Sequence, residues 1–372
     1  MTKARYIMVG GFLGAGKTTA VAQLARHLEG RGLSVGLITN DQSSGLVDSQ
    51  VLEKQGYSVE EIAGGCFCCR FHSLDEAVQN LTARTRPDVF LAEPVGSCTD
   101  LLATVSYPLR RIYGDHFTVA PLSVLVDPLR AARILGLEKG KNFSSKVVYV
   151  YEKQLEEART ILVNKVDAID DELRARLVAA LEQRYPRAEV LCISARDGTG
   201  LDPWYERILG VEVETGPTLD IDYERYAEGE ARLGWLNCTV AVRGTTPFDA
   251  NRFVVELAMD VRATLSKDDL EIAHLKLTLD AEVDGGQLAV VSVVGTDREP
   301  DVRESLLDRV CQGSLVINLR AEADPELLRR AVGNALAARS ADLSFTMEHS
   351  EVFRPAAPVP VHREAVAEKA VR

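Results

Sequence analysis

The sequence predicts a doubly wound α/β domain with a mostly parallel sheet, followed by a smaller α+β domain of ferredoxin-like order. Three observations predict it. Short, β-branched-rich apolar runs alternate with helix-period runs through the first part of the chain, and they lack the polar alternation of a half-exposed strand. A glycine-rich turn joins the first apolar run to the first helix. Near Gly210 the pattern changes to alternating strands.

The apolar runs are Tyr6–Val9, Val35–Ile38, Asp88–Ala92, Leu122–Val126, Thr160–Val163 and Val190–Ile193. Val21, Leu24, Ala25 and Leu28 form one helical stripe behind the first run. Leu173, Leu177 and Leu181 form another, with Asp170 and Asp171 as candidate N-caps. This domain is expected over residues 1–210. An acidic linker with Gly216-Pro217 follows over 211–234. In the second domain, expected over 235–348, Leu236, Cys238, Val240 and Val242 alternate as a strand. Val254, Leu257, Ala258, Val261 and Leu265 then share a helical face. Leu275, Leu277 and Leu279 alternate again, and Gly285-Gly286 offers a hairpin turn into Leu288–Val294. A helix is expected over Glu299–Val310, a strand at Leu315, Ile317 and Leu319, and a last helix from Pro325 to about Arg339. His274 is expected on the solvated face of its strand. The stretch 349–372, with Pro355, Pro358 and Pro360, reads as an extended or disordered tail.

Composition narrows the function classes. The 372 residues carry 43 basic and 55 acidic side chains, a formal charge of −12. That balance argues against general affinity for nucleic acid or an anionic membrane. No apolar run is long enough to span a bilayer, and no signal segment opens the chain. The seven cysteines are odd in number, and Cys66, Cys68 and Cys69 fall together. This favours a reducing, cytoplasmic setting and a metal or redox role over a disulfide framework.

Gly11-Phe12-Leu13-Gly14-Ala15-Gly16-Lys17-Thr18 fits the phosphate-loop pattern G-x-x-x-x-G-K-[ST], after a strand and at the start of a helix. Gly11, Gly14, Ala15 and Gly16 supply backbone N–H groups to phosphate oxygens, and the helix that carries Thr19 adds its positive end. Lys17 is expected at the β- and γ-phosphates, and the Thr18 hydroxyl at Mg²⁺. At the end of a later strand, Asn164-Lys165-Val166-Asp167 suits guanine. Asp167 can accept N1–H and the exocyclic amine, a donor pair that adenine lacks. Lys165 can lie along the base, Asn164 can tie its loop to the phosphate loop, and Ser194-Ala195 can offer a backbone N–H to O6. Glu93, at a strand tip before Pro94-Val95-Gly96, can act on Mg²⁺ or on the attacking water. Gly96 can approach the γ-phosphate, and Asp41 supplies a second carboxylate on the same edge. The expected catalytic groups are therefore Lys17, Glu93 and Asp41, with GTP and Mg²⁺ as ligands.

Gly64-Gly65-Cys66-Phe67-Cys68-Cys69 groups three soft thiols, which suit Zn²⁺, Co²⁺ or Cu⁺ far better than Mg²⁺. In an extended segment Cys66 and Cys68 point the same way, and Cys69 needs a turn to join them. Two or three ligands leave a shell open, which suits delivery better than structural binding. His72, Asp41, a water or a second chain are candidates to fill it.

The segments Gly10–Thr19, Gly64–Cys69, Glu93–Gly96 and Asn164–Asp167 occur in order, as G-G-F-L-G-A-G-K-T-T, G-G-C-F-C-C, E-P-V-G and N-K-V-D. Over about Ala4–Gly210 the chain resembles the CobW-type family of GTPase metallochaperones, relatives of the GTPases that insert nickel into urease and hydrogenase. The resemblance implies a P-loop GTPase domain in which GTP and Mg²⁺ order a cysteine site for a transition metal, Zn²⁺ or Co²⁺ foremost. Hydrolysis would release the metal to a client metalloprotein or a cofactor-biosynthesis enzyme. Two departures stand out. Asn40-Asp41-Gln42-Ser43 keeps only the first half of the family's N-[DE]-F-G, and the six histidines are scattered rather than clustered. No glutamine or arginine finger is evident in cis, so slow turnover is expected, with a client or a second copy completing the site. The competing readings are a GTP-regulated interaction protein with structural or redox cysteines, and a P-loop kinase or transferase.

Overall fold

A computed structural model describes residues 3–40, 52–53, 56–213, 216–281 and 287–364. They fall in two compact units. One is drawn from Met1–Ser44, Gln55–Ala227 and Ala357–Arg372, the other from Gly45–Lys54 and Glu228–Ala356.

The first unit is built on a parallel sheet of β1 (Ala4–Gly11), β2 (Val35–Asn40), β3 (Ser58–Ile62), β4 (Val89–Glu93), β6 (Ser123–Val126), β7 (Thr160–Val163) and β8 (Glu189–Cys192), in the order β3-β2-β4-β1-β6-β7-β8. The short β5 (Phe117–Val119) pairs with the start of β1. All these pairings are parallel, so every strand ends at one edge of the sheet. Ligand sites of open α/β sheets lie at that carboxyl edge. The central strands are apolar because helices cover both faces: Ile7, Val9, Leu37, Leu91, Leu125 and Leu162 are all fully buried. Helix α1 (Lys17–Gly30) buries the stripe Val21, Leu24, Ala25 and Leu28. The Asp170 side chain caps the helix Asp171–Arg184 by accepting the Leu173 N–H at 2.8 Å.

In the second unit the antiparallel order is β12-β11-β10-β13-β9-β14, from strands β9 (Leu233–Phe248), β10 (Glu271–Asp280), β11 (Leu288–Val293), β12 (Asp301–Glu304), β13 (Val310–Glu322) and β14 (Leu343–Phe353). The four strands β10-β13-β9-β14, with helices Ala250–Lys267 and Pro325–Ala337, make the ferredoxin-like core. The expected stripe from Val254 to Leu265 is buried against it.

Three expectations differ here. No helix forms over Glu299–Val310; β12 lies at the sheet edge instead, paired with β11. That stretch has no apolar stripe to bury: Leu306 is inside, while Val302 and Leu307 are exposed. His274 is buried rather than solvated. The register shifts between Ile272 and His274, and His274 pairs with the fully buried Arg320. The segment from His349 is not wholly tail, because β14 reaches Phe353 through main-chain pairing with β9. The proposed Gly285-Gly286 turn lies outside the described residues. Among the described residues no helix is long and apolar enough to cross a membrane.

Candidate functional site

The phosphate loop leaves β1 and enters α1 at Lys17 with no side-chain cap, so the first-turn N–H groups have no capping side chain. Gly16 has φ 95°, and a Cβ there would sit 2.4 Å from the Asn164 amide nitrogen. Only glycine allows the loop and the β7 tip to approach this closely. Asn164 joins three segments: its Nδ2 donates to Ala15 O at 2.8 Å, and its Oδ1 accepts the Ala195 N–H at 2.9 Å. Lys165 is left-handed at φ 57°, and its Nζ donates to Gly14 O at 2.7 Å and pairs with buried Asp127 at 3.0 Å. Asp167 is exposed on the following turn. The capping duty falls to Asp170, so the Asp167 carboxylate is not the cap of that helix.

One expectation is corrected. The Ser194 N–H donates to Thr199 O at 2.9 Å and the Ala195 N–H goes to Asn164, so neither is presented for guanine O6. The Ala195 donor ties two loops together, and the Ser194 donor closes its own loop on Thr199.

At the tip of β4, Glu93 is buried. Its Oε1 accepts from the Thr18 hydroxyl at 3.1 Å and lies 3.9 Å from Lys17 Nζ. Lysine, hydroxyl and carboxylate thus converge at the start of α1. Gly96 packs on the phosphate loop; a Cβ there would meet Leu13 N at 2.9 Å. Thr19 is partly buried in the first turn of α1. Asp41 lies outside the described residues.

The cysteine loop follows β3 and emerges at the same carboxyl edge. It is a tight turn rather than an extended segment, because the Cys66 carbonyl accepts both the Cys69 N–H at 3.0 Å and the Arg70 N–H at 2.9 Å. That turn brings in Cys69: the Sγ separations are 2.7 Å for Cys66–Cys68, 3.1 Å for Cys66–Cys69 and 3.8 Å for Cys68–Cys69. These three thiols can share one ion. His72 is not in that group; it is exposed on α2 (Phe71–Arg84), one turn away. Side-chain hydrogen bonding with Cys68 and Cys69 holds the Cys66 thiol well below its ordinary pKa, while the bond with Cys66 pushes Cys69 up to about 11.

Several contacts of the site are not visible in the sequence. Asn40, at the tip of β2, clamps the cysteine loop: Nδ2 donates to Ile62 O at 2.9 Å and Gly65 O at 2.7 Å, and Oδ1 accepts the Phe67 N–H at 2.9 Å. Buried Arg130 donates to the Leu13 carbonyl of the phosphate loop and lies over the Phe12 and Phe143 rings. Gln154 holds the loop beyond Glu93, through Gly96 O at 3.0 Å and Cys98 O at 2.8 Å. Cys98 is buried and hydrogen-bonds the Cys66 thiol. Further along, buried Glu157 accepts from the Thr99 hydroxyl at 3.2 Å and the Leu102 N–H at 3.1 Å. Burial, with nearby Asp100 adding to it, pushes its carboxyl up to about 8.

A parallel sheet with a phosphate loop, a buried carboxylate and an N-K-x-D tip along one edge defines a P-loop nucleotide-binding protein. The model of the CobW/HypB/UreG nucleotide-binding domain matches residues 5–192, about half of the chain. The chain belongs to that family. It is 26% identical over 219 residues to the Zinc chaperone CobW of Pseudomonas aeruginosa, covering 53% of this chain and 58% of that one. It is 28% identical over 163 residues to the Zinc chaperone YeiR of Escherichia coli, covering 43% and 46%. The chain thus spans about half the length of the curated relatives it matches. Among solved structures it is similar to Zn(II)-bound YjiA GTPase from E. coli, with TM-score 0.40 and 15% identity over 90% of this chain and 99% of that one. It is also similar to the hydrogenase maturation factor HypB from Archaeoglobus fulgidus, with TM-score 0.40 and 19% identity over 56% and 89%.

Glu157 makes stability pH-dependent. Its folded pKa of about 8 lies above the ordinary 4.5, so the folded chain holds a proton that the unfolded chain has released. Stability is therefore lost as pH rises through that window. Between pH 5 and 8 the urea midpoint should fall by the equivalent of about 2–4 kcal/mol, and Glu157→Gln should remove most of the fall. Equal falls in both proteins would rule out Glu157 as the titrating group.

Proposed function

We propose that this protein is a GTP-dependent metallochaperone: it binds and hydrolyses GTP, holds a transition metal on Cys66, Cys68 and Cys69, and passes it to a client protein. The observation that carries the reading is the three-thiol cluster, clamped by Asn40 beside a phosphate loop. Family membership supports nucleotide binding and hydrolysis. The names of the zinc-chaperone relatives support zinc as cargo.

On the nucleotide side, the loop Gly11–Thr18, with Thr19 in the first helical turn, cradles the phosphates, and Lys17 meets the β- and γ-oxygens. Thr18 and Glu93 offer adjacent hydroxyl and carboxylate oxygens, hard donors that suit Mg²⁺, which when bound offsets charge between the β- and γ-phosphates. Glu93 orients the attacking water, a role shared with Asp41 in our reading. Gly96 brings its backbone to the γ-phosphate. Asp167 reads the guanine edge while Lys165 lies along the base and Asn164 holds the two loops together.

On the cargo side, a metal displaces the protons of Cys68 and Cys69 and joins the Cys66 thiolate. Zinc accepts such thiolates readily, and the open coordination position would receive a client's ligand during transfer.

Two experiments test the halves separately. GTP should bind at least about 100-fold more tightly than ATP, because adenine would cover the Asp167 carboxylate without offering it a donor pair. Asp167→Asn should shift preference toward xanthosine triphosphate. Equal affinity for GTP and ATP would remove the assignment of Asn164–Asp167.

For the cargo, the protein should take up one zinc per chain. Cys66→Ser and Cys68→Ser should each weaken zinc by about 100-fold or more while changing GTP affinity less than about threefold, since each removes a sulfur that would bind the ion directly. Undiminished zinc binding in both variants would favour the competing reading, an interaction protein with structural cysteines.

A further inference from the structure

The cysteine cluster is not bare in its own unit. The chain returns to the first unit at Ala357 and runs over the loop as far as Glu364, the last described residue. Pro358 and Pro360 carry no N–H and pre-extend this segment. The two N–H groups between and after them both land on the cysteine loop: Val359 donates to Cys69 Sγ at 3.2 Å, and Val361 donates to Cys68 O at 2.9 Å. The His362 ring meets Phe71 edge-on at 4.8 Å, at the foot of α2.

Past the thiols the segment is latched. Arg363 Nε donates to Asp100 Oδ2 at 2.7 Å, and its Nη2 donates to Leu219 O at 2.9 Å. The Asp100 side chain is 1% exposed and also accepts from the Tyr223 hydroxyl at 2.7 Å. Glu364 adds a main-chain bond to Ala103 O at 2.9 Å and an ion pair with Arg111. Most side-chain contacts of a tail are solvated and weak. Here a guanidinium reaches a buried carboxylate, on the loop that runs on from Glu93 and Gly96.

We propose that residues 357–364 form a strap over the cysteine cluster, latched by Arg363 on Asp100, which shields the thiols and the cargo they hold and must lift before a client can reach them. The cargo half rests on the metallochaperone reading; the shielding half does not. The strap's two proline-spaced N–H bonds define the contact a client segment replaces. Its charge-assisted latch sets how often the cluster opens.

The test compares the full-length protein with Arg363→Ala and Val359→Pro. The first removes the latch, and the second removes the donor to Cys69 while keeping the extended backbone. In the metal-free, reduced protein, N-ethylmaleimide labelling of Cys69 is followed by mass spectrometry against the exposed Cys311 as internal reference. Each substitution should raise the Cys69-to-Cys311 rate ratio by about tenfold, the population change expected from losing one charge-assisted or cluster-anchoring hydrogen bond. Unchanged ratios in both variants overturn the strap. In the second arm the proteins are loaded with Zn²⁺ alone and challenged with a chromogenic chelator. Faster withdrawal from the variants supports a guard on cargo, and equal rates in loaded protein refute it. A chain that takes no zinc would instead contradict the metallochaperone reading, with the labelling arm still deciding whether the strap shields the thiols.

Discussion

The amide of Asn40 is the interaction on which the site's organisation depends. It stands at the carboxyl end of β2, beside β4 and its terminal Glu93. Its two ends bind three main-chain groups around the cysteine loop, at Ile62, Gly65 and Phe67. A side-chain amide has both donors and an acceptor, so one residue can satisfy carbonyls and an N–H that a tight loop leaves over. Asparagine is buried here, and each of these bonds is worth more for being shielded from water. The consequence is mechanical. The cysteine turn hangs from the tip of a strand that lies beside Glu93 at the carboxyl edge.

A parallel sheet makes such a connection cheap. Strands β1, β2, β4 and β7 all end on one side, so the phosphate loop, Asn40, Glu93 and Asn164 meet without long excursions. Asn164 does at the tip of β7 what Asn40 does at the tip of β2: its amide bridges the phosphate loop and the loop after β8. Two asparagines at strand tips thus fix three loops at one edge of the sheet. The loop beyond Glu93 is fixed by Gln154 and brings Cys98 against Cys66, a second link between the Glu93 strand tip and the thiols. The three sulfurs lie close together, an arrangement that suits one soft dication.

Much of this was legible in the sequence because it is local. The phosphate loop, the N-K-V-D tip and the cysteine run are contiguous patterns, and the buried strands are continuous apolar runs. What was not legible depends on partners distant in the chain. Asn40 meets groups 22 to 27 positions later, Arg130 meets Leu13, and Gln154 meets Gly96 and Cys98. No spacing rule links such pairs. Strand β3 is hidden in the sequence because Ser58, Glu60 and Glu61 break the apolar run that Val59 and Ile62 would otherwise make, at the half-buried edge of the sheet. In the stretch 349–372 the prolines and low apolar content suggest a solvated tail, yet over residues 349–364 β14 and the Arg363–Asp100 pair order the chain through main-chain bonds and one buried charge. His274 was misplaced because alternation alone cannot anticipate a bulge.

In our reading these strand-tip contacts couple nucleotide binding to the thiol cluster. Zinc affinity measured by competition in the presence of Mg²⁺, once with a non-hydrolysable GTP analogue and once with GDP, reads that coupling. A difference of about 100-fold is expected, equivalent to about 2.7 kcal/mol of coupling, with the same factor returned when GTP-analogue and GDP affinities are compared with and without zinc. Identical zinc affinity in the two nucleotide states would contradict it, even in a protein that hydrolyses GTP.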